Sequence, residues 1–198
     1  MSAPVAPAAR YTRPSPRTTE LPTAFTAWEF TRGALMAWFV FNLLAPFAVL
    51  AWGVVGSLLR GTDPGLNSAP FILIYTPVIA APWSFGALLV LGAPLAVVLG
   101  LAMRRRAYSS AHLRAFTGLG ALVGAVTTVA WQWWNWMPRL DRVVYMAGDG
   151  SLWAQLDWAL IVLMAAVTAA AVANGWRFTM KRALLADVSE PRGGFGLY

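Results

Sequence analysis

Four long apolar stretches constrain this sequence more than any other feature. They cover residues 34–59, 83–103, 114–136 and 152–176. A helix needs about 20 apolar residues to cross the hydrocarbon core of a bilayer. Hydrophobic residues make up 59% of the chain and charged residues only 12%, whereas a soluble domain has about 25% charged residues. The sequence therefore predicts an all-α integral membrane protein, a small compact bundle of four transmembrane helices whose first partner is the lipid bilayer.

The second apolar stretch is longer than one simple crossing requires. It reaches back to Pro70 and also contains Pro77 and Pro82. At a rise of about 1.5 Å per residue, one helix of this length would be about 50 Å long, against a hydrocarbon core of about 30 Å. Proline kinks a helix. We therefore predict a Pro-kinked second span at 83–103 with an apolar lead-in at 71–82, which is either a tilted extension or a partly re-entrant segment.

A short basic loop between the second and third spans predicts the topology. It begins with Arg104, Arg105 and Arg106, and short loops rich in Arg and Lys stay on the cytoplasmic side. With both termini on that side too, twelve of the 15 cationic residues are cytoplasmic and three are outside. We expect an N-in/C-in protein of the plasma membrane, and the Ala-rich chain with one Lys among its cations indicates a bacterial source. The triplet has a second possible use, which is to bind anionic lipid headgroups or a cytoplasmic partner.

The two ends of the chain flank a transmembrane domain at 24–182. Residues 1–23 contain five prolines and almost no apolar bulk, which predicts a disordered cytoplasmic tail rather than a cleavable signal peptide. Residues 183–198 are rich in glycine and are predicted to form a second cytoplasmic tail. The net charge of +7 is spread over loop ends, so it favours a membrane protein and not a nucleic-acid partner.

Small residues recur at four-residue spacing and predict close helix packing. Such stripes let two helix backbones approach each other in lipid. We interpret them as packing positions within the bundle, although a homodimer interface is the alternative. The positions are Gly92, Ala96 and Gly100 in the second span, Gly120 and Gly124 in the third, and Ala165, Ala169 and Ala173 in the fourth.

Polar residues gather where the third apolar stretch ends and the fourth begins. Four tryptophans within 131–136 are typical of a membrane interface. Asp157 is expected about a turn and a half inside a helix whose N-cap is Ser151. There it is either a solvated acid favoured by the helix dipole or, as we favour, the partner of an arginine in the preceding loop. The predicted outer cluster consists of Gln132, Asn135, Gln155, Asp157, Arg139 and Arg142.

The inventory of reactive side chains is small. The chain has no cysteine and one histidine, which excludes thiolate metal sites and sites that need two histidines from one chain. His112 lies in the basic loop and is interpreted as a solvated loop residue. We therefore predict no catalytic, metal or cofactor-binding residue and no cofactor.

Two classes of function remain. The first is a membrane protein without catalysis that acts as an accessory, assembly or regulatory subunit, with a membrane-protein partner or as a homo-oligomer. The alternative is a subunit of an oligomeric small-solute transporter or channel, which the prolines of 71–82 and the outer polar cluster support. An enzyme that uses Asp157 or Glu29 is the least favoured.

Overall fold

The structure, a computed structural model, describes residues 24–106, 109–136 and 156–189, and within these ranges every regular element is helical. The helices are α1 (Ala27–Leu59), a short 3₁₀ turn (Leu66–Ser68), α2 (Ala69–Ala87), a π-helical turn (Leu88–Gly92), α3 (Ala93–Met103), α4 (Ser109–Trp136) and α5 (Trp158–Ser189). Four helical segments of this part of the chain are long and apolar enough to cross a membrane: α1, Leu66–Met103, α4 and α5. The all-α prediction with four candidate spans is confirmed.

A capping box starts α1 well before the predicted span. The Thr26 side chain accepts a hydrogen bond from the Glu29 backbone N–H at 3.2 Å, and the Glu29 carboxylate accepts one from the Thr26 N–H at 2.9 Å. This reciprocal pair satisfies two of the backbone donors that a helix N-terminus leaves open. Glu29 therefore has a structural role at the start of α1, and the helix continues through Pro46 to Leu59.

The second span is one long helical segment with a π-helical turn in its middle. No break in helical structure separates 71–82 from 83–103, so the lead-in is a helical extension and does not re-enter the bundle as a loop. In the π turn, the Ala93 N–H bonds the Leu88 carbonyl, five residues back. Pro94 follows immediately, and in a regular α-helix its ring would clash with the carbonyl four residues earlier. The wider turn accommodates this proline.

The core of the bundle is α5, which packs against α1 on one side and α4 on the other. On the first side, a Cβ added to Gly175 would lie 2.6 Å from the Gly33 carbonyl oxygen, so the two backbones are nearly in contact. On the second side, a Cβ at Gly120 would lie 2.9 Å from the Thr168 carbonyl oxygen. Glycines at both crossings therefore allow α1 and α4 to approach α5 closely.

The segment α2–α3 is attached to this core at two places. Near the middle of α1, the Trp38 indole N–H donates to Ser84 Oγ at 3.1 Å. At the end of α3, the Phe25 ring fills the space above Gly100, 3.1 Å from where a Cβ would lie, and Phe116 of α4 is the next neighbour. Between these two attachments the π-helical turn contacts α4, and a cleft lies between the segment and the three-helix core.

Two helix boundaries differ from the predicted spans. The α4 helix begins at Ser109, which leaves a shorter basic loop than the one predicted to end at Arg114. The α5 helix begins at Trp158, and residues 156–157 before it are not helical, so the predicted helix over 152–176 is wrong at its start. Its other end continues to Ser189, into the predicted tail. Ser151 lies outside the described residues.

Candidate functional site

A large cleft lies between α2–α3 and the three-helix core. Its volume is about 910 Å³, and all four spanning segments contribute to its walls. The walls are almost entirely apolar, and the charged residues do not line it. A cavity of about 300–1,000 Å³ with apolar walls is the size of site that holds small ligands in proteins.

The cleft runs from one end of the bundle to the other. One end, called the tryptophan end here, carries Trp131 and Trp134 of α4. The opposite end, called the arginine end, is the end at which α3 reaches Arg104, Arg105 and Arg106. Lining residues at the arginine end include Phe25 and Trp176.

Several polar groups on the cleft already have partners within the protein. Ser84 Oγ donates to the Ala81 carbonyl at 3.1 Å and accepts from Trp38. Asn42, outside the cleft lining, donates to the Trp38 carbonyl at 2.8 Å and to Ser84 at 3.3 Å, so its amide joins α1 to α2. Four lining threonine hydroxyls donate to carbonyls of their own helices: Thr127, Thr128, Thr168 and Thr179. The bonds to Ser84 therefore join two helices, whereas these threonine bonds stay within one helix.

The Trp176 side chain differs from these groups. Its indole Nε1 is buried and has no hydrogen-bond partner among the described residues, and the side chain lines the cleft. The ring stacks on His112, with ring centroids 6.1 Å apart and an angle of 17° between the planes. A buried N–H without an acceptor costs about 1–3 kcal/mol. The arginine end of the cleft therefore has an unsatisfied donor.

The prediction for His112 is wrong, because this residue is fully buried in the first turn of α4 and is not a solvated loop residue. Its Nε2 lies 2.9 Å from the Arg106 carbonyl oxygen, and because a carbonyl can only accept, Nε2 carries the proton. His112 therefore links the basic loop to α4, and its ring supports Trp176 of α5.

The predicted outer polar cluster is partly described. Gln132 is buried, with 3% of its surface exposed, and its side chain pairs with the backbone of Asp157. Its Oε1 accepts from the Asp157 N–H at 2.9 Å, and its Nε2 donates to the Asp157 carbonyl at 3.3 Å. Asn135 is exposed and donates to the Trp131 carbonyl of its own helix. Gln155, Arg139 and Arg142 lie outside the described residues.

Asp157 is the N-cap of α5, which corrects its predicted place inside the helix. Its Oδ1 accepts a hydrogen bond from the Leu160 N–H at 2.9 Å, and the helix begins one residue after it. Carboxylates are among the preferred N-cap groups because they satisfy open backbone donors. The position needs no arginine partner to explain an acid there.

The predicted small-residue stripes have different surroundings. Gly124 lies against α5, where an added Cβ would be 2.8 Å from the Met164 carbonyl oxygen. Gly92 and Ala96, in contrast, line the cleft, and a Cβ at Gly92 would meet only atoms of its own segment. The closest crossing of α1 and α5, at Gly33 and Gly175, was not predicted. Gly33 with Ala37 and Ala171 with Gly175 have the same four-residue spacing of small residues, which is the signal that could have indicated this crossing.

The arginine end is strongly cationic. Arg182 lies over the Phe178 ring at 4.6 Å and Arg32 over the same ring at 5.9 Å. Among the side chains that the structure describes, the acidic residue at this end is Glu29, and its carboxylate caps α1. The cationic residues described here are Arg32, Arg104, Arg105, Arg106, Arg114, Arg177, Lys181 and Arg182.

Over the described ranges, no three His, Asp or Glu side chains lie together as a metal site would require. Comparison with protein-family models, curated proteins and solved structures finds no match for the chain.

Proposed function

We propose that this chain is a non-catalytic multi-pass protein of a bacterial plasma membrane that acts as an accessory, assembly or regulatory subunit. The observation that carries the proposal is that the polar side chains of the bundle bond other groups of the protein. Gln132 fixes the start of α5, Ser84 joins α1 to α2, and the threonines of the cleft bond their own helices. Polar side chains inside a membrane mark reaction or transport sites when they are presented to a ligand, and these are used for packing.

The proposed topology places the arginine end in the cytoplasm, so that both termini are inside. Its support is the cluster of cationic residues at that end of the described bundle, because basic residues near the ends of spans are retained on the cytoplasmic side. The same proposal includes a kink of the second span, supported by Pro77 and Pro82 inside α2 and by the π-helical turn before Pro94.

A subunit of an oligomeric small-solute transporter or channel is the second candidate. The observation in its favour is that the cleft is bordered by a proline-rich segment with a π-helical turn, a type of irregularity found at functional sites. The apolar walls of the cleft favour an apolar solute over a hydrated ion.

Purification of the tagged full chain from its native membrane in mild detergent separates the two candidates. The accessory role predicts one heterologous membrane protein at fixed stoichiometry, whose assembled amount falls when this chain is deleted. The transport role predicts a homo-oligomer that releases an apolar solute from liposomes. A chain that copurifies with no stoichiometric protein, forms no oligomer and carries no solute would contradict both candidates.

A further inference from the structure

The cleft is not explained by an accessory role, and it points to a ligand. We propose that the cleft binds one anionic membrane lipid at the arginine end. An alkyl chain of the lipid lies along the apolar walls, an oxygen of its chain linkage accepts the Trp176 Nε1–H, and its headgroup lies among the cations. This site does not depend on the proposed function, because a lipid can be bound with or without a protein partner.

The apolar walls of the cleft and the charge at its arginine end favour a lipid as the occupant. A cavity of about 910 Å³ with almost entirely apolar walls is a site for an alkyl chain. Water is a poor occupant, because apolar cavities stay dry. The cations at the arginine end favour a chain that carries an anionic headgroup.

The unsatisfied donor decides how the lipid is oriented. Trp176 Nε1 is buried at the arginine end of the cleft and lacks an acceptor in the described structure. A chain that is purely hydrocarbon would leave this donor unsatisfied, at a cost that proteins seldom tolerate. Ester and phosphate oxygens are acceptors, and in a lipid they lie at one end of the alkyl chain. The polar end of the lipid therefore belongs beside Trp176.

The distance along α5 from Trp176 to the cations matches the thickness of a lipid headgroup layer. Lys181 and Arg182 follow it by five and six residues on α5, which at about 1.5 Å per residue is a rise of about 8 Å. The headgroup layer on each side of a bilayer is about 5–8 Å thick. An oxygen held at Trp176 thus places the headgroup at the level of Lys181 and Arg182, and the excess of cations there favours an anionic one.

The test uses native mass spectrometry of the full chain, purified in detergent and offered phosphatidylglycerol or phosphatidylcholine with the same chains. We expect one bound phosphatidylglycerol per chain, retained at least several-fold better than phosphatidylcholine. Ala96→Phe places a ring in the cleft, since Ala96 lines it, and should abolish retention. Val98→Phe is the matched control on the same helix, because Val98 is 64% exposed and outside the cleft lining.

A second variant tests the hydrogen bond by removing its donor. Trp176→Phe keeps an aromatic ring and removes the N–H, so phosphatidylglycerol should bind about two- to tenfold more weakly, as expected for one lost hydrogen bond. Trp28→Phe is the control, because Trp28 is 70% exposed and does not line the cleft. If Ala96→Phe does not fold, the comparison of Trp176→Phe with Trp28→Phe still tests lipid binding in the cleft.

Three results would overturn the proposal. One is equal retention of phosphatidylglycerol and phosphatidylcholine. Another is that, in both matched pairs, the variant and its control lose phosphatidylglycerol to the same extent. The third is a dimer in the same spectra that Ala96→Phe converts to monomer, because a second copy of the chain would then occupy the cleft.

Discussion

The contact between α4 and α5 can be tested with two alanine substitutions in one helix. Gly124 faces α5, and an added Cβ would lie 2.8 Å from the Met164 carbonyl oxygen and 2.6 Å from Thr168 Oγ1. Gly118 is on the same helix and exposed, and an added Cβ there would meet nothing within 4 Å. Both changes replace the same residue in the same way, so their difference isolates the close approach of the two helices.

The expected magnitude follows from two opposing terms. Alanine favours a helix over glycine by about 1 kcal/mol, and this gain applies to both variants. At Gly124 the carbonyl oxygen belongs to the backbone of α5, so the helices must separate to restore an ordinary contact of at least 3.4 Å. Overpacking of this kind costs about 1–3 kcal/mol. Gly124→Ala should therefore be about 1–3 kcal/mol less stable than Gly118→Ala.

Unfolding by SDS titration in detergent micelles, followed by tryptophan fluorescence, gives the free energy of unfolding of each variant. Gly118→Ala should equal or exceed the original chain in stability, and Gly124→Ala should fall below Gly118→Ala by the stated amount. If Gly124→Ala is as stable as Gly118→Ala, α4 and α5 are not in close contact at this position and the reasoning is refuted.

Three further predictions concern topology and the start of α5. In intact cells, a single cysteine at Ser110 should resist an impermeant thiol reagent while one at Thr62 reacts, and the reverse pattern would contradict the proposed orientation. Gln132→Ala should lower the free energy of unfolding by about 1–3 kcal/mol, because two backbone groups of Asp157 lose their partner. Asn135→Ala, at an exposed position, should change the free energy of unfolding by less than about 0.5 kcal/mol. Equal losses in the two variants would contradict the role of the Gln132 side chain at the start of α5. Asp157→Asn should leave stability nearly unchanged, whereas Asp157→Ala should cost about 0.5–2 kcal/mol in the same titration; a large loss with Asn would show that the charge itself is paired.

Hydropathy was sufficient to predict the four candidate spans, because a helix that crosses a membrane needs a long apolar run and little else. The cleft could not be predicted in this way. In a membrane protein, surfaces that face lipid, a cavity or another helix are all apolar, so Gly92 and Ala96 carry the same pattern as Gly120 and Gly124. Only the placement of the helices distinguishes a stripe that lines the cleft from one that packs against α5.

The polar residues show a second limit of prediction from the sequence. Gln132 and Asp157 were assigned to one cluster, but the bond between them uses the backbone of Asp157 and not its charge. That backbone is available because α5 begins one residue later, and a boundary of this kind is set by the cap and by the neighbouring helix. His112 was misplaced for the same reason, since the early start of α4 carries it into the interior.

The π-helical turn at Leu88–Gly92 has a consequence for the spacing of residues along the second span. A turn with one additional residue shifts the angular phase of everything after it by about 100°, so α2 and α3 do not share a single helical wheel. Deleting one residue from this turn would leave the hydropathy of the segment unchanged and allow an unbroken α-helical register. It would leave α3 in nearly the same rotation relative to α2, because a π turn absorbs its additional residue, but it would bring back the clash of Pro94 with the preceding turn. The length of this short stretch is therefore under a stricter constraint than its composition.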